Sequence, residues 1–480
     1  MPHTVGAADL LGFAAATTEA HGVPSADARL LADTLVTAEL WGHPSHGMLR
    51  LPWYLSRIES GATTAVTAPE IVTDNGAVLV VDGRDGLGQV LTDRAVTWGV
   101  ERARQHGISA VAVRNSGHFG TAAYFTRRAA EQGCVALLAT NASPAMAPWG
   151  GREKRIGTNP WSIAAPGGRH GTVVMDIANT AVARGKIYHA RERGEPIPEG
   201  WAADADGVPT TDPRRAVEGL ILPMAGHKGY AISFMFDVLA GVLTGSSFGS
   251  SVVGPYHPTG RSGVGHLLIC VDIRSMADPA EFEARMEALI EETKSTPAAP
   301  GTAEILVPGE PEIRTAERLR TEGVTVVDDT WAALARIADA TAVSLPPPAS
   351  TTPPIPIRNR TRIHTHTHTH THTHTRGVPR MIALTVSLQV VPGCRDDFLK
   401  AIEENAARSF SDEPGCRYFD VVCDLSDDHH FVFHEVYDDE AAVEAHRAAP
   451  HFKTWREAAA KYVVPGSQVN TLSRRLFHHS

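Results

Sequence analysis

The chain has 480 residues, 43% hydrophobic and 20% charged, which is the composition of globular protein and too long for one ordinary core. Length alone suggests about three domains. A net charge of −10 argues against nucleic acid or an anionic membrane as a partner.

Periodicity then organises the chain. A first helix is predicted from Ser25 to about Leu40, closed by Gly42, with Leu30, Leu31, Leu35 and Val36 on one face. A second runs from about Leu49 to Ile58 and ends at Gly61. Residues 77–81 read as a strand, 89–105 as a helix stopped by Gly107, and 108–113 as a buried strand. A helix (122–131), a strand (134–140) and a short strand (173–177) follow, then a long apolar helix over 227–243. A strand at 265–273 and helices near 280–293 and 330–342 close the unit. The pattern is mixed α/β, too irregularly connected for a simple doubly wound sheet.

The clearest boundary is the stretch 346–380, which separates a unit at 1–345 from one at 381–480. It holds Pro346-Pro347-Pro348, Pro353-Pro354-Ile355-Pro356 and six His-Thr alternations from His364 to Thr375. Five arginines (358, 360, 362, 376, 380) and no acid leave it unable to bury a core, so a disordered linker is expected. The histidines could take up Ni²⁺, Zn²⁺ or Cu²⁺ adventitiously, and no metal is expected elsewhere. A strict Thr-His alternation is also what a CA-dinucleotide repeat encodes, so the fusion reads as recent, or as read-through into Met381.

Beyond it come a strand (382–390), a helix (396–410), a turn at Glu413-Pro414-Gly415 and strands 417–424 and 430–437. Helices around 440–449 and 452–461 and a strand near 468–474 complete a β-α-β-β-α-β, ferredoxin-like order. The five cysteines, 134, 270, 394, 416 and 423, are scattered without a C-x-x-C pair, as in a reducing compartment. Met1-Pro2-His3-Thr4 has neither a basic nor an apolar leader, and no 18-residue apolar stretch occurs. A cytoplasmic location without a membrane partner is expected.

Two glycine-flanked histidines carry the chemistry of the first unit. Ser45-His46-Gly47 precedes Arg50 and Tyr54 at spacings i, i+4, i+8, which on a helix would share one face. His118 sits in Asn115-Ser116-Gly117-His118-Phe119-Gly120, a loop after a buried strand, where α/β proteins place working residues. An imidazole passes protons and a guanidinium holds a carboxylate by two hydrogen bonds. A serine-hydrolase reading of Ser45 and His46 is weak, because adjacent residues rarely reach each other and no Gly-x-Ser-x-Gly occurs. Gly226-His227-Lys228-Gly229 opens an apolar helix and would suit a dinucleotide phosphate. Asp176 ends a strand, where it could orient a histidine, bind a nicotinamide amide or cap a helix. No Gly-x-Gly-x-x-Gly follows a predicted strand.

Residues 5–345 resemble the second type of malate/L-lactate dehydrogenases, a family that includes ureidoglycolate and sulfolactate dehydrogenases and 2,3-diketo-L-gulonate and Δ1-piperideine-2-carboxylate reductases. The resemblance is carried by Gly42-His43-Pro44-Ser45-His46-Gly47, Gly117-His118-Phe119-Gly120, Gly157-Thr158-Asn159-Pro160 and Met175-Asp176-Ile177-Ala178. Ala183-Arg184-Gly185-Lys186-Ile187, Ile197-Pro198-Glu199-Gly200-Trp201, Gly226-His227-Lys228-Gly229 and Pro308-Gly309-Glu310 continue it in order. The chain departs at Asn179-Thr180, where the family usually shows Thr-Ser. The resemblance implies a homodimeric NAD- or NADP-dependent oxidoreductase with a non-Rossmann, largely antiparallel cofactor domain. His46 and His118 become the acid/base candidates, with Ser45, Arg50 and Tyr54 around a 2-hydroxy or 2-oxo acid. Asp176, His227, Lys228, Gly309 and Glu310 are implied at the cofactor. A cyclic-imine carboxylate is the alternative substrate.

Residues 381–475 resemble the antibiotic-biosynthesis monooxygenase family through Val391-Pro392-Gly393, Phe398, Asn405, Glu413-Pro414-Gly415-Cys416 and Phe433-His434-Glu435-Val436-Tyr437. His446 and His451-Phe452-x-x-Trp455 extend the match. Glu435, Tyr437, His446, His451 and Trp455 would line an aromatic pocket for a quinol or phenol, with no cofactor. The alternative is a dimerising or binding module without activity.

Overall fold

The computed structural model describes residues 3–348, 381–413, 415–423 and 427–474, which fall into two units on either side of the Pro- and His-Thr-rich segment. The expected linker lies almost entirely outside the described residues.

In the first unit, α1 (Ala7–Ala20) and α2 (Ser25–Leu40) pack on one another, and α3 (Leu51–Glu59) follows two short 3-10 turns. Leu31, Leu35 and Glu39 lie four residues apart on α2 and are all buried, so an apolar stripe ends in a carboxyl group. Strands β1 (Glu70–Asn75), β2 (Val78–Asp82), β3 (Ile108–Ser116), β4 (Cys134–Thr140), β5 (Trp161–Pro166), β6 (Thr172–Ile177) and β7 (Val264–Asp272) form one sheet in the order β1-β2-β3-β7-β4-β5-β6. Only β2 and β3 run parallel, joined through helix α4 (Gly88–His106). Every other neighbour is antiparallel. With one parallel pair among its seven strands, this is not the doubly wound parallel sheet to which the Rossmann glycine turn belongs.

Helix α4 covers β3 and β7, and α5 (Ala122–Ala130) covers β4 and β5. Val111, Val113, Leu138, Leu268, Val96 and Phe125 are fully or almost fully buried between these layers. Cys134 and Cys270 are buried among them as small apolar groups. A separate cluster of Val182, Ile187, Ile197, Ala202 and Ile221 forms a satellite around helix α6 (Arg184–Arg193).

Two helices differ from expectation. His46, Arg50 and Tyr54 do not share a helix: His46 ends one 3-10 turn, Arg50 ends another, and α3 begins at Leu51. Pro52 dictates this, because a residue without an N–H is tolerated only in a helix's first turn. The helix at 227–243 is α-helical only as α7 (His227–Asp237), then widens into a π-helix over Val238–Val242. Gly241 sits in that wide turn, where a Cβ would press on Asn141 and Phe248.

The second unit runs β8 (Ile382–Gln389), α8 (Arg395–Asp412), β9 (Cys416–Cys423), β10 (His430–Tyr437), α9 (Glu440–Ala448), α10 (Pro450–Tyr462) and β11 (Val469–Arg474). Its four strands are antiparallel in the order β9-β10-β8-β11. Phe398, Phe431, Phe433, Leu388 and Trp455 form its core. Among the described residues, no helix is long and apolar enough to cross a membrane.

The loop after β3 rests on a close backbone approach. A Cβ at Gly88 would collide with the carbonyl oxygens of Gly117 and His118. Gly88→Ala is therefore expected to lower stability by about 1–3 kcal/mol by overpacking and to displace His118. Urea unfolding together with turnover checks this, and a variant equal to the parent in both would refute the constraint.

Candidate active site

The 3-10 turns before α3 and the loop after β3 bring two imidazoles together. The rings of His46 and His118 stack with centroids 5.7 Å apart. His118 Nδ1 lies 2.6 Å from the Tyr54 hydroxyl and accepts the Gly120 N–H at 3.2 Å. With Nδ1 accepting, the neutral ring carries its proton on Nε2. His46 Nδ1 lies 2.9 Å from Ser45 Oγ. Arg50 donates through Nε to the Ser45 carbonyl at 2.7 Å and lies 4.5 Å over the Trp53 ring. Among the described residues, nothing accepts from either Arg50 Nη.

Ser45, His46, Arg50, His118 and Gly120 line one cleft of about 720 Å³, a volume that suits a small molecule. Asp176, Gly309, His43, Arg184 and Tyr256 line it too. Burial, with Arg50 and His43 adding like charge, pushes His46 down to about 3. Burial, then Arg50 and His46, hold His118 well below the usual imidazole range. Burial raises Tyr54, so its phenol stays protonated. Both imidazoles are therefore neutral at pH 7.

Three buried groups support the cleft, and two of them, Glu39 and His266, were not singled out from the sequence. Glu39 accepts the Met48 N–H at 2.7 Å, and a Cβ at Gly47 would strike its carboxyl. Burial pushes Glu39 up to about 7. His266 of β7 lies 2.7 Å from Ser116 Oγ and 2.8 Å from Thr140 Oγ1, with Phe119 edge-on at 4.7 Å. Asn179 donates to the Asn159 carbonyl at 2.7 Å and accepts from the Trp161 indole at 3.2 Å. The departure from Thr-Ser at 179 is thus a buried structural amide. The available signals were a lone Glu on an apolar stripe and a histidine inside an apolar strand.

Asp176 accepts the Ala123 N–H at 2.8 Å, so it caps the start of α5, and neither histidine is its partner. Gly309 abuts Val174, where a Cβ would collide. Glu310 faces away from the cleft, bonded to Lys294 at 2.6 Å and to Arg314 at 2.5 Å. His227 and Lys228 are exposed at the start of α7, His227 edge-on to Trp149 at 5.9 Å, and neither lines the cleft. Two buried hydroxyls on the cleft wall, Thr121 Oγ1 and Thr180 Oγ1, have no hydrogen-bond partner.

In the second unit, Glu435 accepts from the Tyr437 hydroxyl at 2.7 Å, and His446 Nε2 lies 3.8 Å from Glu435. His446 Nδ1 and His451 Nε2 both approach Glu413 Oε1, at 2.9 and 2.6 Å. Glu413 is the partner given no role from the sequence. Trp455 packs instead against Phe398 and Phe433 in the core.

The buried histidines make stability depend on pH. His266, held at about 3 by burial, binds no proton in the folded chain between roughly pH 6.5 and 3, whereas the unfolded chain does. The contribution of this site to stability is therefore fully present above pH 6.5 and is lost as the pH drops toward 3. His266→Gln should remove about one proton from the uptake on unfolding at pH 5. Calorimetry in two buffers of different ionisation enthalpy measures it, and an unchanged uptake would contradict the assignment.

Residues 5–335 match the sequence pattern of the family described as malate/L-lactate dehydrogenase, and residues 381–458 that described as antibiotic biosynthesis monooxygenase. L-sulfolactate dehydrogenase of Methanothermobacter thermautotrophicus is 39% identical over 305 residues, 64% of this chain and 87% of that protein. (2R)-3-sulfolactate dehydrogenase (NADP(+)) of Chromohalobacter salexigens is 42% identical over 285 residues, 58% of this chain and 85% of that protein. The structure of sulfolactate dehydrogenase from Methanocaldococcus jannaschii superposes with a TM-score of 0.68 at 35% identity, covering 72% of this chain and 98% of that one. The chain belongs to the malate/L-lactate dehydrogenase family, as an NAD(P)-dependent 2-hydroxy acid dehydrogenase carrying an antibiotic biosynthesis monooxygenase domain at its C-terminal end.

Proposed function

We propose that the first unit interconverts a short 2-hydroxy acid and its 2-oxo acid, with His118 carrying the proton of the C2 oxygen and Arg50 clamping the carboxylate. The observation that carries this is the neutral His118 ring, its proton directed to Nε2 by two donors at Nδ1. His46, stacked beside it, keeps a second neutral imidazole at the same place. Tyr54 and Ser45 orient the two rings. Arg50 spends Nε on the Ser45 carbonyl and keeps both Nη groups for an anion, the arrangement for a bidentate carboxylate pair.

The residues present fit a nicotinamide dinucleotide: the cleft is large enough, and the orphan hydroxyls of Thr121 and Thr180 await partners. When bound, that cofactor supplies or accepts the hydride at C2. Thr121, Asp176, Thr180 and the Gly309 turn are the groups assigned to hold it; NAD and NADP remain equal candidates. We assign to Arg184 a second anionic group of the substrate. It lines the cleft without a partner among the described residues, and Gly185 beside it lies against Ser45. This favours malate- or 3-sulfolactate-like dianions, the second being the acid in the names of the relatives above.

His118→Ala is expected to lower kcat by about 10²- to 10⁴-fold, the usual worth of a general acid or base. Turnover near that of the parent would transfer the role to His46. Arg50→Lys should act mainly on KM, and Arg184→Gln should lower kcat/KM for dianions more than for lactate. A screen of 2-oxo acids and cyclic imines with both cofactors, followed at 340 nm, reads all three.

We further propose a homodimer. Phe234, Met235, Val242, Leu243 and Phe248 are 46–65% exposed along and just beyond α7, an apolar strip a lone chain would leave in water. Sedimentation should find two chains, and Leu243→Asp should release one; a monomeric parent refutes the assignment. The second unit reads as a ferredoxin-like module, from its strand order and its helices between the strands.

A further inference from the structure

The second unit aims three metal-ligating side chains from three separate elements at one point. Glu413 follows α8, His446 lies in α9 and His451 in the first turn of α10. Their ligand atoms all lie within 4.8 Å of one another, and both imidazoles crowd the same oxygen, Glu413 Oε1. Ser409 Oγ stands 3.4 Å from His446 Nδ1 and 3.3 Å from His451 Nε2. Side-chain exposure is only 1% for His446, 8% for His451 and 11% for Glu413, so water does little of the solvation.

We propose that Glu413, His446 and His451 form a binding site for a divalent first-row transition metal ion. Two imidazole nitrogens and one carboxylate oxygen suit Zn²⁺, Fe²⁺ or Mn²⁺, whereas Ca²⁺ and Mg²⁺ prefer oxygen alone and Cu⁺ prefers sulfur. Such a set leaves coordination positions open, and the Ser409 hydroxyl is the group nearest to fill one.

The surroundings are those of a ligand set. A metal-bound imidazole ordinarily turns its other nitrogen to a carboxylate that fixes the ring. His446 does so: Nδ1 faces Glu413, while Nε2 faces Glu435 at 3.8 Å, which is itself held by Tyr437. Glu413 brings one negative charge to the ion, and Glu435 is a second acid beside the same imidazole. Metal–nitrogen bonds of about 2.0–2.1 Å would need the present separations to open by about 0.5 Å.

The test uses the full chain with the six tract histidines (364, 366, 368, 370, 372 and 374) changed to asparagine, so that the tract cannot contribute. Titration with Co²⁺ should give one ion per chain with visible d–d bands. Glu413→Gln or His451→Gln should abolish the bands while dehydrogenase turnover is unchanged. Glu435→Gln should weaken binding by about 10- to 100-fold at the same stoichiometry, the usual effect of losing an outer carboxylate. Absence of bound ion in the parent overturns the site, as does binding unaffected by Glu413→Gln. If the variants lose the fold of the second unit, the zinc K-edge spectrum of the Zn²⁺-loaded parent decides. Two imidazole nitrogens with oxygen in the first shell support the site, and any other shell refutes it.

Discussion

The hydrogen bond between the Tyr54 hydroxyl and His118 Nδ1 joins residues 64 positions apart and is the contact on which the site depends. It links α3, placed by Pro52, to a loop placed by the pairing of β3 with β7. Without it, His118 would lose one of the two donors that put its proton on Nε2. The Gly120 N–H would still keep Nδ1 an acceptor, but the ring would lose the side chain that ties it to α3. Burial around this contact holds both imidazoles below the usual range, which keeps them neutral.

Around this bond the fold supplies support in layers. Glu39 holds the turn that presents His46, His266 pins the strand end that presents His118, and Gly88 lets the loop settle on the backbone of α4. Asn141, Asn159 and Asn179 saturate the polar backbone under the cleft, each side chain bonding to at least two groups. On the cleft wall, Arg184, both Arg50 Nη groups and the hydroxyls of Thr121 and Thr180 have no partner among the described residues. Unpartnered polar groups gathered on the wall of a cleft mark that cleft as a place for a ligand.

The second unit repeats the logic at smaller scale. Its aromatic core of Phe398, Phe431, Phe433 and Trp455 is ordinary packing, and the polar set lies apart from it. Glu435 and Tyr437 share one face of β10 by strand alternation, as their spacing required. The approach of Glu413 to two histidines is a different matter, since a helix end and two later helices must meet.

The sequence by itself determined the local elements and the inventory of reactive groups. Helix and strand periods, the glycines that close helices, and the ordered motifs are all short-range signals, and most elements lie within a few residues of where the pattern puts them. It also determined the family, through motifs that need no coordinates to compare. Only the tertiary structure decided which of those groups meet. Helical spacing suggested one face for His46, Arg50 and Tyr54, but a proline displaced the helix start, and the three converge through separate turns. Likewise Glu310, His227 and Lys228 carry suitable chemistry yet lie off the cleft, and Glu39 and Glu413 acquire roles only from partners distant in sequence. The reason is physical: spacing reports which side a residue faces within its own element, whereas a site is a relation between elements.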